Sequence, residues 1–80
     1  MKIAHSIADI IGNTPILNLK EFAPNLYGKC EFLNPSHSIK DRPAYAMIDE
    51  AMKQGKVNKG TMIVECTSGN MGISLAMICA

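Results

Sequence analysis

Thr61-Met62-Ile63-Val64-Glu65, followed without a break by Cys66-Thr67-Ser68-Gly69-Asn70-Met71-Gly72-Ile73, decides the fold class. The first five residues form a short, nearly continuous apolar run. That is the pattern of a parallel strand covered on both faces. Residues 67–70 read as a tight turn. Ile73-Ser74-Leu75-Ala76-Met77-Ile78-Cys79-Ala80 then reads as a buried helix. A strand that runs through a tight turn into a helix is one βα unit.

A second such unit precedes it. In residues 28–33, Cys30 and Phe32 alternate with Lys29 and Glu31, as in a half-buried strand. Asn34-Pro35-Ser36-His37-Ser38-Ile39-Lys40 is a turn-rich loop. From Asp41 to Lys53 the spacing predicts a helix, with Ala44, Met47, Ile48, Ala51 and Met52 on one stripe. Pro43 falls in its first turn, where the missing N–H costs nothing, and Gly55 ends it. Residues 56–60 are a solvated linker. The order strand, helix, strand, helix is a βαβα unit, so the expected class is α/β with a parallel sheet and a right-handed crossover. Upstream, Ser6-Ile7-Ala8-Asp9 resembles a capping pattern for a short helix through Ile10 and Ile11, which Gly12 stops. Asn13-Thr14-Pro15 is a turn. Residues 16–20 read as a strand that pairs with residues 28–33, across a loop over 21–26.

Composition excludes several classes. With 80 residues, 48% hydrophobic and a net charge of +1, the chain is globular in type and makes at most one small domain. Without a basic excess, with aromatics at 5% and no Trp, nucleic acid is not an expected partner. No apolar stretch nears the ~20 residues of a membrane helix, and no long apolar region follows Met1-Lys2-Ile3-Ala4-His5, so neither a membrane span nor a secretory signal is expected. Cys30, Cys66 and Cys79 are odd in number and form no C-x-x-C, which suits reduced thiols in a cytosol. The last helix ends on apolar residues without a cap, so the chain is expected to belong to a longer protein.

Two stretches carry chemistry. Both follow directly after strands, so both lie on one edge of the sheet, where α/β folds bind ligands. Lys40 sits where the loop ends and the helix begins. An amine held there can act as a nucleophile once partly desolvated, although a solvated surface charge is the commoner state of lysine. At the 67–70 turn, the free N–H groups and the helix dipole favour an anion. Gly69 and Gly72 let backbone approach a ligand closely, while Thr67, Ser68 and Asn70 add polar groups. The turn reads equally as a plain strand-to-helix connection with a Ser/Thr/Asn cap. No P-loop, G-x-G-x-x-G or G-x-S-x-G spacing is present, and His5 and His37 lack ligand-spaced partners for a metal.

Three motifs together resemble one family. Ile11-Gly12-Asn13-Thr14-Pro15, then Asn34-Pro35-Ser36-His37-Ser38-Ile39-Lys40-Asp41-Arg42, then Glu65-Cys66-Thr67-Ser68-Gly69-Asn70-Met71-Gly72-Ile73, look like the N-terminal part of cysteine synthase (O-acetylserine sulfhydrylase). That family belongs to the pyridoxal 5'-phosphate enzymes of fold type II, the tryptophan synthase β-like architecture. The resemblance implies that residues 1–33 begin the large cofactor domain and residues 34–80 begin the small N-terminal α/β domain. It implies that Lys40 is the Schiff-base lysine and later the base that takes the substrate α-proton. Asn70 would donate to the cofactor ring oxygen. Thr67, Ser68, Gly69, Asn70 and Met71 would grip the substrate carboxylate.

The implied reaction is a transferase's β-replacement, forming L-cysteine from O-acetylserine and sulfide in the cytoplasm. A full-length homodimer and a serine acetyltransferase partner are implied too. The motifs separate the family less well from cystathionine β-synthase, and a truncated, non-catalytic product is a further reading. Two departures stand out. The family usually has threonine where Met71 stands. Its glycine-rich phosphate loop and the residue facing the pyridine nitrogen lie further along, so these 80 residues are expected to be inactive by themselves.

Overall fold

The computed structural model describes residues 2–80. A short 3-10 turn, Ile7–Ile10, comes first. The Asp9 carboxylate accepts the backbone N–H groups of His5 and Ser6 at 2.9 and 3.1 Å, which closes the predicted cap. Strands β1 (Ile16–Asn18) and β2 (Tyr27–Lys29) follow. They pair antiparallel, with Ile16 opposite Lys29, Leu17 opposite Gly28 and Asn18 opposite Tyr27. The Leu19 N–H donates to the Leu26 carbonyl at 2.9 Å and draws the connecting loop shut.

The expected strand over residues 28–33 is shorter than its alternation suggested. The ladder stops at Lys29, and Glu31–Leu33 is a 3-10 turn. The cause is local. Asn34 Nδ2 holds the Glu31 carbonyl at 2.9 Å, while the Glu31 side chain is drawn to Arg42. The chain bends there, and a strand cannot continue through the bend.

Helix α1 (Asp41–Lys53) has the predicted bounds. Its first bond runs from the Ala44 N–H to the Lys40 carbonyl at 3.1 Å, so Pro43 removes no helical donor. At its end, Gly55 has φ +72°. The Lys56 N–H reaches back to the Ala51 carbonyl and the Gly55 N–H to the Met52 carbonyl, which is the Schellman arrangement. Helix α2 (Asn70–Cys79) packs on α1. Ala44 of α1 is 0% exposed, and Ser74 and Leu75 of α2 are buried with it. Met47 and Met52 of the predicted stripe remain exposed.

Residues 61–65 carry neither ladder nor helix, which corrects the expectation of a buried parallel strand. Met62 and Val64 are 85% and 83% exposed. Parallel pairing needs a neighbouring strand. Among the described residues, β1 and β2 pair only with each other. The expected βαβα order is therefore not formed: both strands precede both helices, and the observed sheet is a two-stranded antiparallel one. The outline is correspondingly flat, 50 × 36 × 19 Å. Its radius of gyration, 15.5 Å, exceeds the roughly 12 Å of a compact chain of this length. No helix among the described residues is long and apolar enough to cross a membrane.

Candidate functional site

The lysine loop is held at both ends by buried polar side chains. At its start, Asn34 is 1% exposed. Its Oδ1 accepts the Gly12 N–H at 2.8 Å, and its Nδ2 also donates to Glu31 Oε1 at 3.1 Å. The His37 N–H closes the turn on the Asn34 carbonyl at 2.8 Å, with His37 itself at φ +73°. At the far end, the Lys40 N–H donates to Ser38 Oγ at 3.2 Å, and the Lys40 carbonyl opens α1. The Lys40 backbone is therefore fixed while its side chain is exposed. Among the described residues its ammonium has no hydrogen-bond or ion-pair partner.

Two carboxylates flank this loop. Asp41 is 0% exposed. Its Oδ2 accepts the Ser36 N–H at 2.8 Å, and its Oδ1 accepts the hydroxyls of Ser36 and of Ser74, the latter at 2.7 Å. Burial is the strongest single influence and opposes ionisation. The Ser36 and Ser74 donors together outweigh it and hold the carboxyl below its ordinary value. Glu31 accepts from Arg42 through both oxygens, from Thr14 and from Asn34. The Arg42 and Thr14 donors lower its pKa from 4.5 to about 2. Arg42 also reaches Thr14 Oγ1 at 3.2 Å. The 12–15 turn, the 31–34 bend and the start of α1 thus form one network.

The 66–71 turn is organised by Thr67. Its Oγ1 accepts the N–H groups of Gly69 at 3.1 Å and Gly72 at 3.2 Å. Thr67 was read as a donor to a ligand, yet here its oxygen caps α2, leaving the hydroxyl hydrogen free. Gly69 has φ +153°, a conformation that suits glycine. Gly72 is also required by the turn itself, because a Cβ there would lie 2.6 Å from the Thr67 methyl. The Ile73 N–H makes the first helical bond, to the Gly69 carbonyl at 3.0 Å. Among the described residues the N–H groups of Ser68, Asn70 and Met71 are left without partners.

Lys40 and residues Cys66, Thr67, Ser68, Gly69, Asn70 and Met71 line one cleft of about 390 Å³. Lys40, Thr67, Ser68, Gly69, Asn70 and Met71 therefore meet in one place, while Gly72 is not among the residues lining it. The cleft combines an amine with a helix N-terminus bearing three unpartnered donors, an arrangement that can hold an anion beside a nucleophile. Sequence reasoning missed the partners behind it. Beyond their place in the Asn34–Arg42 motif, Asp41 and Arg42 read only as the start of a helix, and Ser74 only as part of a buried run. A charged residue directly after Lys40 at a helix start, with a serine amid the apolar residues of the last helix, was the available signal.

Residues 7–80 match the family model described as pyridoxal-phosphate dependent enzyme. The chain is 61% identical over its full length to cysteine synthase B of Campylobacter jejuni subsp. jejuni serotype O:2, of which it covers 27%. It superposes on the crystal structure of a hydrogen sulfide-producing enzyme from Fusobacterium nucleatum with a TM-score of 0.87 and 46% identity. That match covers 99% of this chain and 27% of the other. The crystal structure of an O-acetylserine dependent cystathionine beta-synthase from Helicobacter pylori gives a TM-score of 0.83 and 40% identity, covering 98% of this chain and 28% of that one. The chain thus spans about a quarter of the length of the proteins it matches.

Proposed function

The chain belongs to the pyridoxal-phosphate dependent enzyme family, and on that premise we propose that it forms the lysine-bearing part of a cysteine synthase. The reaction is a transferase's β-replacement, L-cysteine from O-acetyl-L-serine and sulfide. The observation that carries this reading is the shared cleft, where Lys40 lies across from the unpartnered N–H groups of the 66–71 turn. These residues fit a lysine-anchored anionic cofactor beside an amino-acid carboxylate.

When bound, pyridoxal phosphate supplies an electron sink for charge that develops on the substrate α-carbon. Lys40 would anchor it and move the α-proton, and the Asn70 amide would donate a hydrogen bond to it. Thr67, Ser68, Gly69, Asn70 and Met71 hold the substrate carboxylate, largely through backbone N–H groups at the positive end of α2. Acetate leaves the β-carbon and sulfide takes its place. In this reading residues 1–33 begin a large cofactor domain and residues 34–80 a small α/β domain. The complete enzyme is a cytoplasmic homodimer, with serine acetyltransferase as a further partner.

The test uses the protein expressed from its complete gene, supplied with pyridoxal phosphate, O-acetyl-L-serine and sulfide. Cysteine should form, and Lys40→Ala should abolish it. Undiminished cysteine formation by Lys40→Ala sinks the assignment. A second reading, cystathionine β-synthase-like replacement by homocysteine, is supported by the likeness to the Helicobacter pylori structure. Turnover with homocysteine but not sulfide would select it.

A further inference from the structure

We propose that Asp41 is a positioning residue that ties the lysine loop to α2 through Ser36 and Ser74, and so sets the spacing between Lys40 and the 66–71 turn. The inference rests on the function proposed above and names how that site is held in register.

The carboxylate joins the lysine loop and the start of α1 to α2, which lies 33 residues further along the chain. Ser36 belongs to the loop, Asp41 is the first residue of α1, and Ser74 lies one turn into α2. Asp41 and Ser74 are both 0% exposed. Oδ2 takes the Ser36 N–H, and Oδ1 takes both hydroxyls, which stand 3.1 Å from each other. No buried side-chain polar atom among the described residues is left without a partner. The network is therefore complete, the condition under which a buried polar cluster fixes one geometry.

The rest of the interface gives no such definition. Ala44 and Leu75 are apolar, and apolar contact is non-directional. Hydrogen bonds to a buried carboxylate are directional, and a small slide of α2 along α1 would break them. Lys40 is the covalent neighbour of Asp41, and Asn70 stands four residues before Ser74. A slide at Ser74 therefore moves the donors of the turn relative to the amine. Lys40 and Asp41 move with the loop, so the cofactor anchor is less affected than the carboxylate grip.

The experiment compares the wild-type protein from the complete gene with Ser74→Ala, Ser74→Cys and Asp41→Asn. Two readouts are taken. One is kcat and KM for O-acetyl-L-serine. The other is the mass of the Lys40 peptide after incubation with pyridoxal 5'-phosphate and borohydride reduction. Both Ser74 variants should raise KM about tenfold, the size expected when the displaced turn gives up one hydrogen bond to the substrate carboxylate. Their kcat and Lys40 labelling should stay close to wild type, while the melting temperature falls by no more than one lost buried hydrogen bond explains. Asp41→Asn should lower the labelling as well, because it also loosens Ser36. Wild-type KM in both Ser74 variants overturns the inference. So does a loss of kcat, labelling and melting temperature together, which marks a role in stability only. Ser74→Cys keeps the volume, so the outcome does not depend on tolerance of alanine. A wild-type protein whose Lys40 takes no label overturns the proposed function, and the inference with it.

Discussion

The guanidinium of Arg42 grips the carboxylate of Glu31 at two points, Nε to Oε1 at 2.6 Å and Nη2 to Oε2 at 3.0 Å. This fork joins the bend before the lysine loop to the helix after it. Two-point pairs of this kind define geometry as well as energy. The loop that carries Lys40 is thus clamped from outside by Arg42 and Glu31, and from inside by Asp41.

The clamp predicts an acid limb of stability. Glu31 has its pKa lowered from 4.5 to about 2 by the Arg42 and Thr14 donors. A lowered carboxyl pKa stabilises the fold fully above the unfolded value and loses that contribution as pH falls through the folded one. The window is therefore pH 4.5 down to about 2. Arg42, whose own pKa is raised, stays charged throughout. Denaturant midpoints measured from pH 7 to pH 2 should decline across this window. Glu31→Gln should start lower and decline less steeply, with Asp9 and Asp41 providing the slope that remains. An unchanged slope in Glu31→Gln would refute the clamp.

Gly72→Ala should destabilise the start of α2. The added Cβ would lie 2.6 Å from the Thr67 methyl, and 3.8 Å from both its Cβ and its Oγ1. Relief requires shifting the turn, and overpacking of this kind costs about 1–3 kcal/mol. Thr67→Ser removes the offending methyl but retains the oxygen that caps Gly69 and Gly72. Thermal melts should show the double variant Gly72→Ala/Thr67→Ser recovering most of the loss. If the double variant is no better than the single, the contact is not the cause.

Helix α1 was legible because every local signal agreed: Pro43 in the first turn, an apolar stripe, and Gly55 at the stop. The start of α2 was legible for the same reason. Residues 61–65 were not, because an apolar run specifies burial and not a partner. A strand exists only through hydrogen bonds to a neighbour, and β1 and β2 share theirs. Residues 30–33 alternate as a strand does, but Asn34 and Arg42 override that pattern through contacts 3 and 11 residues away. Lys40 and the 67–71 turn were named from the sequence, but the parallel-sheet edge expected to join them is not formed; they line one cleft where α2 packs on α1. Asp41–Ser74 was not legible, since its 33-residue separation is settled only by packing α2 on α1.

Gly55→Ala should destabilise α1 through backbone strain alone. Gly55 has φ +72°, and nothing lies within 4 Å of where its Cβ would be. The cost is then the left-handed penalty for a non-glycine residue, about 1–2 kcal/mol. Gly55→Asn should lose less, because asparagine enters this region more readily. Equal losses in urea melts would show that side-chain clash, and not conformation, governs the site.

Met71→Thr should strengthen the grip on the substrate carboxylate. Met71 is the second residue of α2, half-buried, and lines the cleft with Lys40. Its N–H has no partner among the described residues, so the backbone donor is available whichever side chain stands there. A threonine hydroxyl adds one donor at the same place. A neutral hydrogen bond contributes about 0.5–1.5 kcal/mol, which corresponds to a fall in KM for O-acetyl-L-serine of roughly two- to tenfold. Met71→Leu removes the thioether but retains the N–H, so its KM should stay at the wild-type value. Steady-state kinetics on the protein from the complete gene separates the two contributions. A KM that rises in Met71→Leu shows that the thioether itself is used. A KM that does not fall in Met71→Thr shows that position 71 reaches the ligand through its backbone alone.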